Sequence, residues 1–180
     1  INNLGNEALT LSDSSLNASL LKALDGRTSG AINAASINTL TGSAADLITA
    51  YAASGSGING LGNEAINVNS GNASTAQVNA LAAATSGVVT ATIADGDMAT
   101  LAGLNESGHA YAITITDNSV AAAALNSLDG KTTVAIDGSA ITTLTGSAAD
   151  LNTAYTSAGI SGLGNENLTL SDSSLAASLL

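Results

Sequence analysis

Neither cysteine nor proline occurs in the 180 residues, and phenylalanine and tryptophan are absent too. Without cysteine no disulfide staples the fold, so cohesion has to come from packing. Without proline the turns fall to 19 glycines. The three aromatic residues are all tyrosine: Tyr51, Tyr111 and Tyr155. Aromatic rings dominate the burial of globular cores. A core of Ala, Leu, Ile and Val must therefore be thin, with backbone layers lying close together. Bases are equally scarce, since Lys22, Arg27 and Lys131 stand against 14 acids for a net charge of −11. That balance excludes a basic nucleic-acid footprint and a polybasic membrane patch. It also favours keeping copies apart and soluble. No apolar run approaches the ~18 residues needed to span a bilayer, and no signal-peptide pattern is visible. Disorder is the rival account of an acidic chain poor in aromatics. A hydrophobic content of 45% with regular Leu and Ile spacing argues against it.

What the chain has instead is repetition. Leu4 to Leu21 returns at Leu163 to Leu180 with two changes, Ala8 to Asn167 and Asn17 to Ala176. Thr39 to Leu47 (TLTGSAADL) recurs unchanged at Thr143 to Leu151. Such self-similarity marks a stacked array in which each unit buries its apolar face against its neighbours. Residues 1–180 read as one continuous array. Super-repeats fall at about 8–64, 65–111 (diverged), 112–166 and 167–180, the last opening a further unit. Both ends fall inside a repeat, which predicts a segment of a longer chain.

Period-2 alternation predicts a short strand in each coil. The inward pairs are Leu9/Leu11, Ile32/Ala34, Ile66/Val68, Ala91/Ile93, Ile113/Ile115, Val134/Ile136 and Leu168/Leu170. Successive strands begin about 21 to 34 residues apart, too far for hairpins and suited to parallel stacking. Between the pairs runs an outward column of Thr10, Asn33, Asn67, Thr92, Thr114, Ala135 and Thr169. Stacked Thr and Asn form hydrogen-bonded ladders. Ala-rich segments with helical spacing follow, with caps expected at Asp13 or Ser15, Ser43, Ser74 (with Gln77), Asp95 and Ser119. Gly26 and Gly130 are expected to close two helices in left-handed conformation. Coils near residues 31–64 and 133–166 carry an extra INTL or ITTL piece. The expectation is an α/β solenoid with one parallel β-strand plus one short Ala-rich helix per coil. About seven coils are expected, with an all-β solenoid as the alternative.

Motifs that could carry chemistry have simpler readings. Gly55 to Gly60 (GSGING) matches the dinucleotide pattern G-x-G-x-x-G but follows a helical segment. Phosphate binding needs strand, turn and helix N-terminus in that order. The copy at Ser157 to Gly162 does not keep the glycine pattern, so the segment reads as a loop. Ser19 and Lys22 match S-x-x-K, yet their copies are Ala123 and Asn126 and no companion motif exists. They read as a solvated helix face. His109 is the only histidine, so a Ser-His-Asp relay would have to use it. Its surroundings read as a surface loop. Asp95, Asp97 and Glu106 fall at calcium-loop positions, but Ala99 and Thr100 stand where such a loop needs an oxygen ligand and Gly. Asp117 and Asp137 read as caps or turns. A Thr column can order ice, but this one mixes Asn33, Asn67 and Ala135, so a structural ladder explains it more simply. No catalytic, cofactor-binding or metal-ligating residue is assigned.

The units TLTGSAADL-x-TAY, GLGNE-x-LTLSDSSL-x-ASLL and SLDGKTT-x-AI resemble the tandem repeats of very large surface or secreted proteins of marine unicellular cyanobacteria and related bacteria. The resemblance is weakest over residues 65–111. It implies an extracellular array within a giant polypeptide, in a cell coat, stalk or filament. It carries over no ligand residue, because the shared positions are core, cap and turn. The expected function is structural: a rigid spacer, surface layer or filament segment at the cell surface. The expected partner is the array itself, by end-to-end self-association or covalent continuation, without nucleic acid or membrane insertion. The alternative is an adhesin or fibre shaft presenting loops such as Gly55–Asn63 to glycans or other partners. An enzyme would need paired acids in a groove, whereas the acids here lie mainly at caps and turns. The chain is therefore not expected to be one.

Overall fold

The computed structural model describes residues 3–174. It forms two compact units, Ile1–Thr92 and Ile93–Leu180. The first contains β1 (Leu9–Thr10), β2 (Ser15–Asn17), α1 (Ala18–Asp25), β3 (Ile32–Asn33), β4 (Thr39–Gly42), α2 (Ala44–Ala52), β5 (Ile58–Asn59), β6 (Ala65–Val68), α3 (Thr75–Ala84) and β7 (Val89–Thr92). Three times in succession the chain runs strand, turn, strand, helix, and β7 follows as a single strand. The first strands form one parallel column in which Leu9, Ile32 and Ile58 stand opposite one another. The second strands form another, aligning Leu16, Leu40, Ile66 and Val89. Ile32, Leu40, Ile58 and Ile66 are fully buried in their columns, while outward Asn33 and Asn67 are exposed. Burial of the β-branched and Leu side chains from both columns against the helix layer is the main source of cohesion.

The second unit repeats the plan with α4 (Met98–Leu101), β8 (Ala110–Ala112), β9 (Ser119–Ala121), α5 (Ala122–Asp129), β10 (Ile136–Asp137), β11 (Thr143–Gly146), α6 (Ala148–Thr156), β12 (Ile160–Ser161) and β13 (Asn167–Leu170). Val120, Leu144 and Leu168 align in one parallel column, and Ile136 pairs with Ile160 in the other. The class is α/β with parallel sheets. Helices stack beside the strands, α1 on α2, α2 on α3 and α5 on α6. Ala18, Ala44, Ala50, Ala122 and Ala154 are the buried alanines of these helices. A methyl side chain lets neighbouring helices approach closely enough to follow the narrower strand spacing.

Several expectations change. Ile32 and Ile66, expected in one ladder, stand in different columns. The end of INTL and the start of TLTGSAADL form β4, a strand of its own, which places Leu40 rather than Ile32 opposite Ile66. Two strands, β3 and β4, therefore precede α2 where one was expected, and β10 and β11 precede α6 in the same way. Side-chain bonds between layers reach 24 positions, as from Thr142 Oγ1 to the Asn118 carbonyl. Val134 is 38% exposed instead of inward. Its N–H is drawn into a turn by Thr132 Oγ1 (3.1 Å), and the strand starts only at Ile136. Leu168 and Leu170 are 52% and 46% exposed because β13 is the last strand of its sheet. Helix starts shift as well. Asn17 caps α1, Asp97 caps α4 and Ala121 precedes α5 without a side-chain bond. Strands β2 and β9 run straight into their helices, so the last strand residue is the cap. Ser43 and Ser74 cap as expected, the latter in a reciprocal pair with Gln77. Gly26 and Gly130 are right-handed, with φ of −69° and −65°. The expected super-repeat at 167–180 is described as far as Ser174, and residues 175–180 lie outside the described residues.

Candidate functional site: repeated contacts between layers

The GLGNE loop supplies the most concentrated polar chemistry. Glu64 is 1% exposed, a position a carboxylate tolerates only when its oxygens are satisfied. The Tyr51 hydroxyl, from the end of α2, donates to Oε1 at 2.6 Å. The backbone N–H of Gly62 lies 2.8 Å from both oxygens, and that of Asn63 donates to Oε2 at 2.9 Å. One layer later, Thr85 Oγ1 donates to the Glu64 carbonyl at 2.7 Å. Burial, then the adjoining Glu64 carboxylate, push the Tyr51 phenol well above its ordinary range. The second copy has the same wiring. Tyr155 donates to Glu166 Oε2 at 2.5 Å, and Gly164 N–H reaches both oxygens at 3.0 and 2.9 Å. Burial raises the Tyr155 phenol to about 12. Burial also works to raise Glu166, but the Tyr155 hydroxyl and the loop N–H groups outweigh it and hold that carboxyl low. A carboxylate so enclosed by donors ties a helix to a loop. At Glu64, which is also buried, no open lone pair is presented to a substrate.

A second contact recurs at the layer corners. Thr28, Thr85 and Thr132 each donate to a carbonyl 21 positions earlier, on Glu7, Glu64 and Tyr111. Each hydroxyl also accepts the N–H two residues on, from Gly30, Gly87 and Val134. A Cβ at Gly30 or Gly87 would come within 2.3 Å of the Glu7 or Glu64 carbonyl oxygen. Glycine is needed there for approach between layers. A third contact joins an Asp to the preceding layer's helix: Asp117 accepts from Met98 N (2.7 Å), and Asp172 accepts from Ala148 N (2.6 Å). Both carboxylates sit at helix N-termini, where negative charge is favoured.

The residues singled out from the sequence fall into this framework without converging. The Gly55–Gly60 loop follows α2, and a Cβ at Gly57 would meet Asp25 Oδ1 at 2.4 Å. Its glycines serve close approach. Ser19 bonds Asn17 Oδ1 through both N and Oγ. Lys22 pairs with Asp46 of the next layer at 2.5 Å, and at the equivalent place Asn126 Nδ2 donates to the Asp150 carbonyl at 3.0 Å. His109 is not on the open surface. It is 9% exposed, and its ring lies 5.4 Å from the ring of Tyr111. Burial lowers its imidazole against the opposing pull of Glu106. Asp97 caps α4 through Thr100 N at 2.8 Å, and Asp137 holds Ser139 N at 3.0 Å. Both carboxyls are lowered by those bonds. Among the described residues, no group of three or more His, Cys, Asp or Glu could hold a metal ion, and no helix is long and apolar enough to cross a membrane. Sequence reasoning missed the Tyr51–Glu64 and Tyr155–Glu166 pairs. The signal was present, because TAY and GLGNE recur together in both long repeats, but which side chains meet depends on how the loop folds back. No family model, curated protein or solved structure matches this chain.

Proposed function

We propose that this chain is a structural extracellular repeat segment, an α/β solenoid serving as a rigid spacer in a cell-surface layer or filament. The observation that carries this reading is the adjacency of the contacts. Within each unit, strands pair with strands of adjacent layers, in parallel and in register, and β3, β4, β6 and β11 do so on both sides. Side-chain bonds between layers, such as Lys22–Asp46 and Asn126–Asp150, reach the neighbouring layer at 24 positions. Cohesion that passes from layer to layer makes stability and length roughly additive in the number of repeats. The polar chemistry supports the same reading, since the Glu64, Glu166, Asp117 and Asp172 carboxylates are taken up by hydrogen bonds from the protein itself. A giant surface polypeptide of tandem repeats is the setting that the TLTGSAADL and GLGNE units suggest. The test is particle length, by electron microscopy or small-angle scattering, for chains carrying one, two and three copies of residues 4–162. Linear growth is expected. A radius that grows like that of a sphere removes the idea.

A further inference from the structure

The helix layer of the second unit contains an apolar slot between α4 and α5, with a volume of about 270 Å³. α4 is a single turn of four residues, whereas α5 has eight. A one-turn helix cannot cover a two-turn one along its length. Leu101 from α4 and Leu128 from α5, both buried, line the slot together with Met98 and Ala124. Of its lining residues, Ser127 and Lys131 carry hydrogen-bonding side chains. An apolar concavity with a few placed polar groups is the usual form of a small-molecule site.

The repeat itself shows what opens the slot and what is kept beside it. In the first copy, Leu20 stands where α5 has Ala124, and Arg27 stands where Lys131 does. Ala124 thus leaves empty the room that a leucine would take, while a base remains at the end of the helix. Bases are scarce in this chain. Lys131 and Arg27 are two of its three, and the third, Lys22, pairs with Asp46. The helix dipole favours a cation at this end, which accounts for the charge but not for the slot next to it. Lys131 Nζ donates to the Asn105 carbonyl at 2.9 Å. An ammonium has three donors, so two remain for an anion beside the slot. The methylene stem of such a lysine lies along the apolar wall and leaves its charge in water.

We infer that this slot binds a single-chain amphiphile with a carboxylate head, a medium-chain fatty acid, its tail along Leu101 and Leu128 and its head on Lys131. Size and charge set the class. A methylene fills about as much room as a water molecule in the liquid, ~30 Å³, so the slot takes a tail of about nine carbons. The head follows from Lys131, the one charged side chain lining the slot. A sugar needs several hydrogen-bonding groups around it, and the slot offers Ser127 and Lys131 alone. Such a site goes beyond the spacer reading and requires only the second unit.

Met98 is the only methionine of the sequence and sits in the wall of the slot, so a carbon-13 methyl label on methionine reports occupancy directly. Decanoate titrated into the full chain should shift that signal saturably, with a Kd of about 0.1–1 mM, and should raise the melting temperature. Shortening the tail to octanoate should weaken binding by about threefold for each methylene lost. Decylammonium has the same tail and is attracted everywhere else by a chain of net charge −11, so a preference for decanoate isolates Lys131. Lys131→Gln should erase that preference, and Lys131→Arg, the residue type of the first copy, should keep it. Ala124→Leu, which copies Leu20, should fill the slot and weaken decanoate at least about tenfold, while the melting temperature without ligand holds. No saturable shift at Met98, decylammonium binding as tightly as decanoate, or indifference to Ala124→Leu would overturn the inference. The length measurement on tandem chains is untouched by these outcomes, so the array reading and this site fail separately.

Discussion

Tyr51 and Glu64 meet at 2.6 Å across 13 positions of chain. Their copies Tyr155 and Glu166 meet in the same way with Tyr155 39% exposed. The difference is what lies above. In the first unit Thr85 and its layer close over the pair, leaving Glu64 1% exposed. In the second, no later layer is among the described residues. A single sequence motif thus yields a buried tie in one place and a wet one in the other.

Removing the tyrosine hydroxyls should separate three environments. Tyr51→Phe leaves a buried carboxylate short of a donor and is expected to cost about 1–3 kcal/mol. Tyr155→Phe acts on an open pair and should cost under about 1 kcal/mol. Tyr111 is 1% exposed and its hydroxyl has no hydrogen-bond partner. Tyr111→Phe should therefore be neutral or slightly stabilising. Urea midpoints of the three variants check the order, and a Tyr111→Phe loss as large as that of Tyr51→Phe would contradict it.

Two glycine-to-alanine exchanges should differ in sign. At Gly87 a Cβ would lie 2.3 Å from the Glu64 carbonyl oxygen, so the layers must part, at a cost of about 1–3 kcal/mol. At Gly130 the backbone is right-handed and the nearest atom is 3.5 Å away. There alanine should stabilise by about 0.4–1 kcal/mol through the unfolded chain. Thermal melting distinguishes them, and equal shifts would show that layer spacing at Gly87 is slack.

Stability should have a plateau bounded on both sides by named groups. His109 is lowered by burial, so the unfolded chain takes up a proton first as pH falls below about 6.5, and stability starts to decline there. Asp97, Asp137 and Glu166 also have lowered folded-state values. Their contribution is present above the unfolded carboxyl range of about 4 and is lost as pH drops through it. Tyr51, Tyr111 and Tyr155 are raised, chiefly by burial, the last two to about 12. The unfolded chain loses those protons first above about pH 10, so stability falls as pH rises from 10 towards 12. Denaturant midpoints across the pH range, with tyrosinate absorbance on the alkaline side, test the shape. A maximum near the isoelectric pH of about 4.1 would contradict it.

Much of the layer was legible in the residues. Alternation at Ile32/Ala34, Ile66/Val68 and Ile113/Ile115 marked inward positions that are buried, and Ser43 and Ser74 announced their helices. These are local signals, set by the period-2 pleat and by capping of free N–H groups. Leu40 and Leu144 do not read as strand centres, because TLTGSAADL reads as one helical segment, whereas its TLTG part is strand and only the part after Ser43 or Ser147 is helix. For the Glu64 tie the sequence shows that TAY and GLGNE recur together, but which side chains meet, and that Glu64 is buried, depends on how the loop folds back.

The sequence by itself determined that the core would be thin, that parallel strands would alternate with short helices, and that no disulfide would hold them. Those follow from residue size, hydrophobic period and the lack of cysteine, none of which needs a partner in space. Only the tertiary structure decided register: that Ile66 faces Leu40, that β1 and β13 use opposite edges of one repeated strand, and that Glu64 is enclosed. Register is a relation between backbone groups about two dozen residues apart, and identical local segments satisfy it in more than one way until their neighbours are in place.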